Sequence, residues 1–316
     1  MDLLREILLA EHRIRPFARE TPLEHSLPLS SLTGADVHLK LENLQHTGSF
    51  KFRGAMNKVL SLASERRGRG VVAASTGNHG AAVASAAGRL QIQSTIFVPE
   101  NTSPTKLEAM RRYGAEVRLH GQDSVVSEVH ARRYAEANGM AYISPYNDVE
   151  VIGGQGTIGL ELARQLAGID RIFVALGGGG MIAGIAAYLK ALKPGVEVTG
   201  CSPENSCVMI ESVRAGRILP LESRPTLSDG TAGGIEEGAI TFDLCRDLID
   251  EYVTVSEEEI AGALRLFMES HHMLIEGAAA VPVAALLKTG VKSRAGRTVV
   301  VVCGANISLT TLRSIL

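Results

Sequence analysis

A single lysine stands out in the stretch HTGSFKFRGA, residues 46–55. Lys51 follows a Thr-Gly-Ser turn, begins the predicted helix KFRGAMNKVL and lies between Phe50 and Phe52. Most lysines are solvated, and many helices begin with one. Lys51 is therefore either a solvated surface lysine or a reactive amine, and other motifs in the chain are needed to distinguish the two.

Two glycine-containing loops suit the binding of anions. ASTGNHGAA follows a predicted strand, so residues 77–80 form a strand-to-helix turn whose N–H groups suit a carboxylate. A plain turn, with His79 satisfied by its neighbours, is the alternative. In ALGGGGMIAG, the four glycines at 177–180 leave backbone amides bare for a phosphate.

The four-glycine loop raises the question of a nucleotide. A Walker loop is excluded, because no Lys-Ser/Thr pair follows the glycines. The spacing from Gly178 through Gly180 to Ala183 does fit G-x-G-x-x-A, which expects an acidic residue at the end of the next strand. That strand, VEVTGCS, ends at Cys201 and Ser202. A phosphate site is predicted, and a dinucleotide is disfavoured.

Two more residues could belong to a site. Cys303 ends the apolar run TVVVVC, where a thiol is usually an inert small hydrophobe but could also be a neutral partner at a cleft. Glu276 lies among apolar residues in HHMLIEGAAAV. It is either a paired structural carboxylate or a site residue.

The elements around these residues alternate between strands and helices. Apolar runs followed by Ala-rich helical segments indicate an α/β fold of open, mostly parallel twisted sheets with flanking helices. Two such series, one before about residue 148 and one after, predict two packed domains with a cleft between them. The predicted strands cover residues 37–42, 70–75, 94–99, 115–121, 171–177, 196–202 and 298–306.

Composition narrows the class of protein. The 316 residues are 45% hydrophobic and 21% charged with a net charge of −2, so no footprint for nucleic acid or an anionic membrane is present. The four cysteines show no metal or disulfide spacing. The N-terminus predicts an amphipathic helix and neither a signal peptide nor a membrane span, which makes a reducing cytoplasm the default.

Five motifs in this order resemble one family across nearly the whole chain: TGSFKFRGA, STGNHG, GGGGM, IEGAAAV and CGAN. They are similar to the fold-type II pyridoxal-phosphate enzymes, which share a tryptophan synthase β-like fold, and most of all to threonine/serine dehydratases and serine racemase. The resemblance implies a large cofactor-binding domain from residues 1–68 and 149–316. It also implies a small mobile domain from residues 69–148, and a homodimer or higher homo-oligomer.

The resemblance also implies a role for each motif residue. Lys51 would bind the pyridoxal 5'-phosphate aldehyde as a Schiff base and later move the substrate α-proton. Phe50 would pack on the ring, Asn78 would bind the ring hydroxyl, and Cys303 would face the ring nitrogen with Glu276 nearby. The phosphate would lie against Gly177, Gly178, Gly179, Gly180 and Met181, and the substrate carboxylate against Ser75, Thr76, Asn78 and His79.

A thiol at the ring nitrogen has a chemical consequence. A neutral Cys303 would leave the ring largely unprotonated and favour loss of a β-substituent over transamination. The implied reaction is α,β-elimination from L-threonine, L-serine or a related β-hydroxy amino acid, giving a keto acid and ammonia. In this family the cofactor phosphate is the expected acid for the leaving hydroxyl.

Three departures from the family pattern qualify these expectations. The chain lacks the C-terminal regulatory domain of biosynthetic threonine dehydratases, so isoleucine feedback is not expected. Ser202 stands where cation-binding relatives carry glutamate, with Glu204 close by, and no metal is predicted. Residues 228–242 resemble a branch that includes dehydratases of hydroxyectoine breakdown, so the substrate could be a modified amino acid. Glu236 and Glu237 either line the pocket for a cationic substrate or point to solvent.

Alternative functions stay open at this point. A racemase would need an acid/base opposite Lys51, a position that Thr76 occupies, and only weak racemisation is expected. A β-replacing synthase is disfavoured, because its substrate loop differs from STGNHG. A NAD-binding oxidoreductase would depend on the G-x-G-x-x-A match alone.

Overall fold

The computed structural model describes residues 2–290 and 296–316. Residues 1 and 291–295, which belong to the predicted large domain, lie outside the described residues. Ten strands are described: β1 Leu23–His25, β2 Asp36–Lys40, β3 Val71–Ala74, β4 Ser94–Val98, β5 Glu116–Leu119, β6 Ala141–Tyr142, β7 Ile169–Ala175, β8 Glu197–Pro203, β9 Glu251–Val255 and β10 Arg297–Val301.

Helices separate most of these strands. They are α1 Leu3–Ile14, α2 Leu27–Thr33, α3 Lys51–Ser61, α4 Ser64–Gly68, α5 Asn78–Arg89, α6 Pro104–Arg112, α7 Ser124–Ala137, α8 Val149–Gln165, α9 Gly180–Leu192, α10 Val208–Ala215, α11 Ile240–Leu248, α12 Glu257–His271, α13 Gly277–Thr289 and α14 Leu309–Ile315. In α1, the residues that recur every three or four positions are buried, namely Leu3, Ile7, Ala10 and Ile14. None of the helices in the described part of the chain is both long and apolar enough to span a membrane.

The strands form two sheets. The larger has the order β1-β2-β10-β7-β8-β9, and every pair in it is parallel except β1 with β2. The smaller has the order β5-β4-β3-β6 and is parallel throughout. The predicted α/β class with two open, mostly parallel sheets is confirmed. The seven strands predicted from apolar runs are present, and β1, β6 and β9 are additional.

Each sheet has its own hydrophobic core. One core is built on β2, β7, β8 and β10 with α9, α12 and α13. The other is built on β3 and β4 with α5, and Phe52, Ala55 and Met56 of α3 pack into it. The helix that begins at Lys51 therefore packs on the small sheet, while the turn before it contacts the large one. Whether residues 69–148 move as a separate domain stays a prediction.

A buried charge cluster joins the first turn of α3 to the large sheet and α8. Arg53 donates to the carboxylates of Glu42 and Glu161 at 2.7–2.8 Å, and Lys40 Nζ lies 2.6 Å from Glu161. All four side chains are fully buried. Two cations and two anions balance, which is the condition for keeping charges inside a core.

Candidate active site

Lys51 lies at the N-terminus of α3, at the boundary between the two sheets. Its Nζ donates to the main-chain oxygen of Pro145 at 2.8 Å and lies 5.2 Å from the centroid of the Phe50 ring. Burial lowers the pKa of the amine from 10.5 to about 8, while Cys303 and Glu276 act in the opposite direction. A lysine with this pKa is partly neutral near physiological pH and can act as a nucleophile or a base.

The turn before Lys51 is fixed against the end of β10. The Phe50 N–H donates to the Cys303 carbonyl at 3.1 Å, and Ser49 forms an antiparallel bridge with Gly304. This pairing brings the Cys303 thiol beside the Lys51 turn although 252 positions separate the two residues along the chain. Burial raises the pKa of the Cys303 thiol well above its ordinary value, so the group is neutral.

Glu276 is the acidic group of the site. Its side chain is 4% exposed, and burial raises its pKa to about 7 against the hydrogen bonds from Asn78 and Asn306 that favour the carboxylate. Asn78 Nδ2 lies 2.8 and 3.0 Å from the two carboxylate oxygens. Because Asn78 begins α5 beside the small sheet, this contact joins the two sheets. A Cβ on Gly304 would lie 2.6 Å from the carboxylate, so only glycine fits there.

The four-glycine loop follows β7 and leads into α9. An added Cβ at Gly178 would lie 2.4 Å from the ring of Tyr146, and one at Gly177 would lie 2.7 Å from the Thr231 carbonyl. Gly179 has φ +85°, a left-handed conformation that favours glycine. The bare loop and the N-terminus of a 13-residue helix together could hold an anion.

One of two unpaired buried hydroxyl groups lies beside the glycine loop. Ser49 Oγ and Thr241 Oγ1 are buried and have no hydrogen-bond partner among the described residues. Thr241 lies beside the glycine loop, 3.2 Å from the position of an added Cβ on Gly179. Buried polar atoms are nearly always paired in folded proteins, so the Thr241 hydroxyl fits an anion at the loop that accepts from it. The residues present fit a phosphate-bearing aldehyde held by Lys51.

Residues 75–80 join β3 to α5, as predicted, and the last three of them form the first turn of α5. Ser75 and Thr76 are half-buried, and Ser75 Oγ accepts from the Gly77 N–H at 3.2 Å. The His79 ring is buried, and its Nε2 lies 2.8 Å from the Ile143 carbonyl. Burial and the Lys51 charge lower the pKa of His79 to about 3, so the ring is neutral. His79 therefore offers a ligand its backbone N–H, while its ring serves the packing of the small sheet.

The residues considered above for a metal ion or a cationic substrate mostly have partners within the protein. Ser202 Oγ donates to the Leu176 carbonyl at 2.6 Å, and the Glu204 carboxylate lies 3.5 Å from Lys288. Glu236 forms an ion pair with Arg132 of α7 at 2.9 Å. Glu236 thus neither points freely to solvent nor offers an unpaired charge to a cationic substrate. Glu237 is exposed.

Three residues at the site were not predicted as site residues. Pro145 supplies the acceptor for Lys51, Tyr146 packs on Gly178, and Asn306 hydrogen-bonds to Asn78 and Glu276. Pro145 and Tyr146 follow β6, whose two residues are too few to show a strand pattern. The signal that could have found them is the polar turn SPYND, because open parallel sheets bind ligands at the carboxyl ends of their strands.

The fold and the site are those of a two-sheet α/β protein with a buried lysine amine at the boundary of its sheets and a bare glycine loop at a helix N-terminus. The family model described as "Pyridoxal-phosphate dependent enzyme" matches residues 14–304, and the chain belongs to this family. The expected family, fold type and cofactor are confirmed.

Relatives of known name share most of their length with this chain. An L-threonine ammonia-lyase of Thermotoga maritima is 42% identical over 317 aligned residues, which cover 100% of this chain and 78% of the relative. Threonine deaminase isoform 2 of Solanum lycopersicum has a solved structure with a TM-score of 0.95 and 34% identity, covering 99% of this chain and 91% of that one. Maize serine racemase gives a TM-score of 0.92 and 33% identity, with 98% and 95% covered.

Proposed function

We propose that this protein is a pyridoxal-phosphate-dependent ammonia-lyase that converts L-threonine or L-serine to a 2-keto acid and ammonia. The observation that carries the proposal is the Lys51 amine, which burial holds at a pKa of about 8 between a carbonyl acceptor and a neutral thiol. The relatives named as threonine ammonia-lyase and threonine deaminase support this choice of substrate.

Different residues at the site would bind different parts of the cofactor. Lys51 would hold its aldehyde, Phe50 its ring, and Asn78 its ring hydroxyl, with Cys303 and Glu276 beside it. The phosphate would bind the amides of Gly177, Gly178, Gly179, Gly180 and Met181. When bound, pyridoxal phosphate supplies an electron-withdrawing system that stabilises negative charge at the substrate α-carbon.

Lys51 would then serve as the base at the α-carbon. An amine with a pKa of about 8 is close to the optimum for a proton acceptor that works near neutral pH. Loss of the α-proton and of the β-hydroxyl releases one water. Hydrolysis of the released enamine consumes one water and gives the keto acid and ammonia, so the overall reaction is balanced.

Cys303 would direct the outcome toward elimination. Its buried thiol is neutral and donates a proton only weakly, so it stabilises a protonated ring nitrogen far less than an aspartate would. Charge would therefore stay nearer the α-carbon, where its electron pair can form the Cα–Cβ double bond as the hydroxyl leaves the β-carbon. Replacement of Cys303 by Asp should raise the share of turnovers that end in transamination, measured as keto acid formed without ammonia.

The turn of residues 75–80 would bind the substrate carboxylate. The first N–H groups of α5 have no intrahelical acceptor, and the helix dipole favours an anion at this end. Ser75 and Thr76 add hydroxyl groups, and Asn78 adds its carboxamide. From His79 we propose the backbone N–H as the contributing group, because its ring is bonded to Ile143.

A keto-acid assay over a panel of β-hydroxy amino acids tests the proposal. Threonine and serine should give 2-keto acid and equimolar ammonia, and Lys51→Ala should abolish both the yellow colour of the bound cofactor and the activity. Lys58→Ala is the matched control, since Lys58 lies on the same helix but pairs with Asp148 at 2.6 Å. A purified protein that stays colourless with added cofactor would refute the proposal.

Racemisation is the second candidate, because solved structures of serine racemases resemble this chain. We propose that Thr76 occupies the position of the opposing acid/base and supports weak racemisation at most. Chiral analysis of serine after incubation with the enzyme would decide this. D-serine that forms faster than pyruvate would make racemisation the main activity.

The remaining proposals concern the whole molecule. We propose a small domain of residues 69–148 that moves against the rest, and a cytoplasmic homodimer or larger homo-oligomer. The contacts of Asn78 with Glu276 and of Arg132 with Glu236 join the two sheets through polar side chains, which supports a cleft that opens at this side. Light scattering on the purified protein would give the number of subunits.

A further inference from the structure

Asn306 links three residues of the site through hydrogen bonds. Its Nδ2 donates to Asn78 Oδ1 at 2.7 Å and to the Thr47 carbonyl at 2.8 Å, and its backbone N–H donates to Glu276 Oε2 at 3.0 Å. Asn306 lies three residues after Cys303, on the segment that β10 leads into. These contacts connect the turn before Lys51, the first residue of α5 and the acidic group of the site.

Two residues of the turn that Asn306 contacts, Thr47 and Gly48, have left-handed backbone conformations. Thr47 has φ +63°, a left-handed conformation that is strained for a non-glycine residue. Gly48 follows with φ +72°, and a Cβ on it would lie 3.0 Å from Asn306 Oδ1. The Ala305 N–H donates to the Gly48 carbonyl at 2.9 Å. The turn is held in a strained form in which the Thr47 carbonyl faces the Asn306 carboxamide.

Donor and acceptor chemistry fixes which way each amide points. Asn78 Nδ2 faces both oxygens of Glu276, which accept from it when the carboxylate is ionised. The Asn78 Oδ1 is then left for Asn306, whose own Nδ2 must donate. The Thr47 carbonyl, which also only accepts, selects the same orientation of Asn306 from the other side. The chain of contacts has one consistent arrangement, and Asn306 is the member that sets it.

We propose that Asn306 is a positioning residue that fixes the Asn78 carboxamide so that Asn78 presents N–H, and not C=O, to the cofactor. This inference depends on the proposed function, in which Asn78 faces the ring hydroxyl. A donor at that place stabilises the ionised form of the hydroxyl, and an acceptor would stabilise the protonated form. Asn306 thereby sets the ionisation of the bound cofactor without touching the substrate.

Asn306→Asp tests the proposal, since it replaces a donor by an acceptor of the same shape. Asn78 must then turn its Nδ2 toward Asp and its C=O toward Glu276 and the cofactor. We expect the ratio of ionised to protonated cofactor at fixed pH to fall about tenfold, one pKa unit, read from its two absorption bands in a pH titration of the holoenzyme. Asn306→Ala should give a smaller shift in the same direction, because Asn78 can then adopt both orientations.

Ser308→Asp controls for the added negative charge. Ser308 is exposed and caps α14 through the Thr311 N–H, a role that Asp fills equally well. The titratable groups that face the site, Lys51, Asp229, Glu276 and Cys303, are the same in all variants. The shift should therefore appear in Asn306→Asp and be absent or much smaller in Ser308→Asp.

Each outcome decides between the hypotheses. Absorption profiles of Asn306→Asp and Ser308→Asp that coincide would overturn the role of Asn306. If Asn306→Asp does not fold or retain cofactor, as judged by thermal melting and absorbance, an Asn306→Ala profile equal to wild type would overturn it instead. A wild-type protein that binds cofactor but shows no lyase activity would refute the proposed reaction and leave this test valid. A wild type that binds no cofactor would refute both.

Discussion

The Lys51 Nζ and the Pro145 main-chain oxygen are joined by a hydrogen bond of 2.8 Å. Lys51 begins α3, and Pro145 follows the last strand of the small sheet. A carbonyl orients the amine but carries no net charge, so it stabilises the ammonium form less than a carboxylate partner would. The contact therefore fixes the place of the amine and leaves its pKa low.

The reactivity of Lys51 in the cofactor-free protein should follow this pKa. Reductive labelling with a small aldehyde should reach half of its maximal rate near pH 8, since only the neutral amine attacks. Peptide mass spectrometry measures the labelling at each lysine. Lys58 is the internal control, because Asp148 and Glu150 raise its pKa against the effect of burial. A Lys51 rate still climbing steeply above pH 10 would contradict the prediction.

The same shift makes stability depend on pH with a defined sign. The unfolded chain holds the Lys51 proton up to about pH 10.5, and the folded chain holds it only up to about pH 8. The unfolded state thus binds more protons between these values, and Lys51 makes the folded state gain stability as pH rises through the window. Urea unfolding of wild type and Lys51→Met at pH 7.5 and pH 10 tests this. The free energy of unfolding of the wild type should rise relative to that of Lys51→Met between the two pH values.

Removal of one member of the buried charge cluster should be costly. Arg53→Met leaves Glu42 and Glu161 without their main partner, and we expect a loss of about 3–5 kcal/mol in the free energy of unfolding. Lys106→Met is the control, because its pair with Asp229 is exposed and 3.9 Å long, and it should change stability by less than about 1 kcal/mol. Denaturant unfolding measures both. Equal effects would mean that the cluster contributes no more than a surface pair.

Gly178→Ala should weaken cofactor binding. The new Cβ would lie 2.4 Å from the Tyr146 ring, and overpacking of this kind costs about 1–3 kcal/mol, or roughly one to two orders of magnitude in the dissociation constant. Gly195→Ala meets no atom within 4 Å and serves as control. Absorbance titration with pyridoxal phosphate gives the affinities. The double variant with Tyr146→Ala should recover part of the loss, and no recovery would place the clash elsewhere.

Glu236→Gln should affect neutral and cationic substrates alike. The ion pair with Arg132 already neutralises Glu236, and the Glu236 N–H donates to the Tyr146 hydroxyl at 2.9 Å. The residue thus holds the loop before α11 to the small sheet, and its loss should change kcat/KM by a similar factor for threonine and for a cationic β-hydroxy amino acid. A loss at least tenfold larger on the cationic substrate would restore the alternative in which this charge selects the substrate.

The sequence predicted the local features of this fold better than the long-range ones. The strand-helix alternation and the positions of Lys51 and the four glycines follow from local patterns, since turns at strand ends have their own composition. The position of β10 between β2 and β7 does not, because strand order depends on pairing between segments more than 100 residues apart. Arg53 illustrates this, since its partner Glu161 lies 108 positions away and nothing near either residue indicates the other.

The same difference between local and long-range information applies to the site. The motifs place Asn78, Glu276 and Cys303 at strand ends or helix starts, but the direction of each side chain depends on packing. The motif predicts His79 at the carboxylate site but not that its ring lies 2.8 Å from the Ile143 carbonyl, a contact that a buried imidazole needs. Main-chain acceptors such as the Pro145 oxygen carry no residue-type signal, so composition and motif cannot reveal them.

The position of β10 also sets the order of events when the chain is made. The ribosome synthesises the Lys51 turn early, yet the partners of that turn, Cys303 and Gly304, come about 250 residues later. The small sheet can fold while synthesis continues, because all of its strands lie between residues 71 and 142. The large sheet has to keep a gap between β2 and β7 until the final strand emerges. The pairing of the Lys51 turn with Cys303 and Gly304 therefore forms only after β10 has been made.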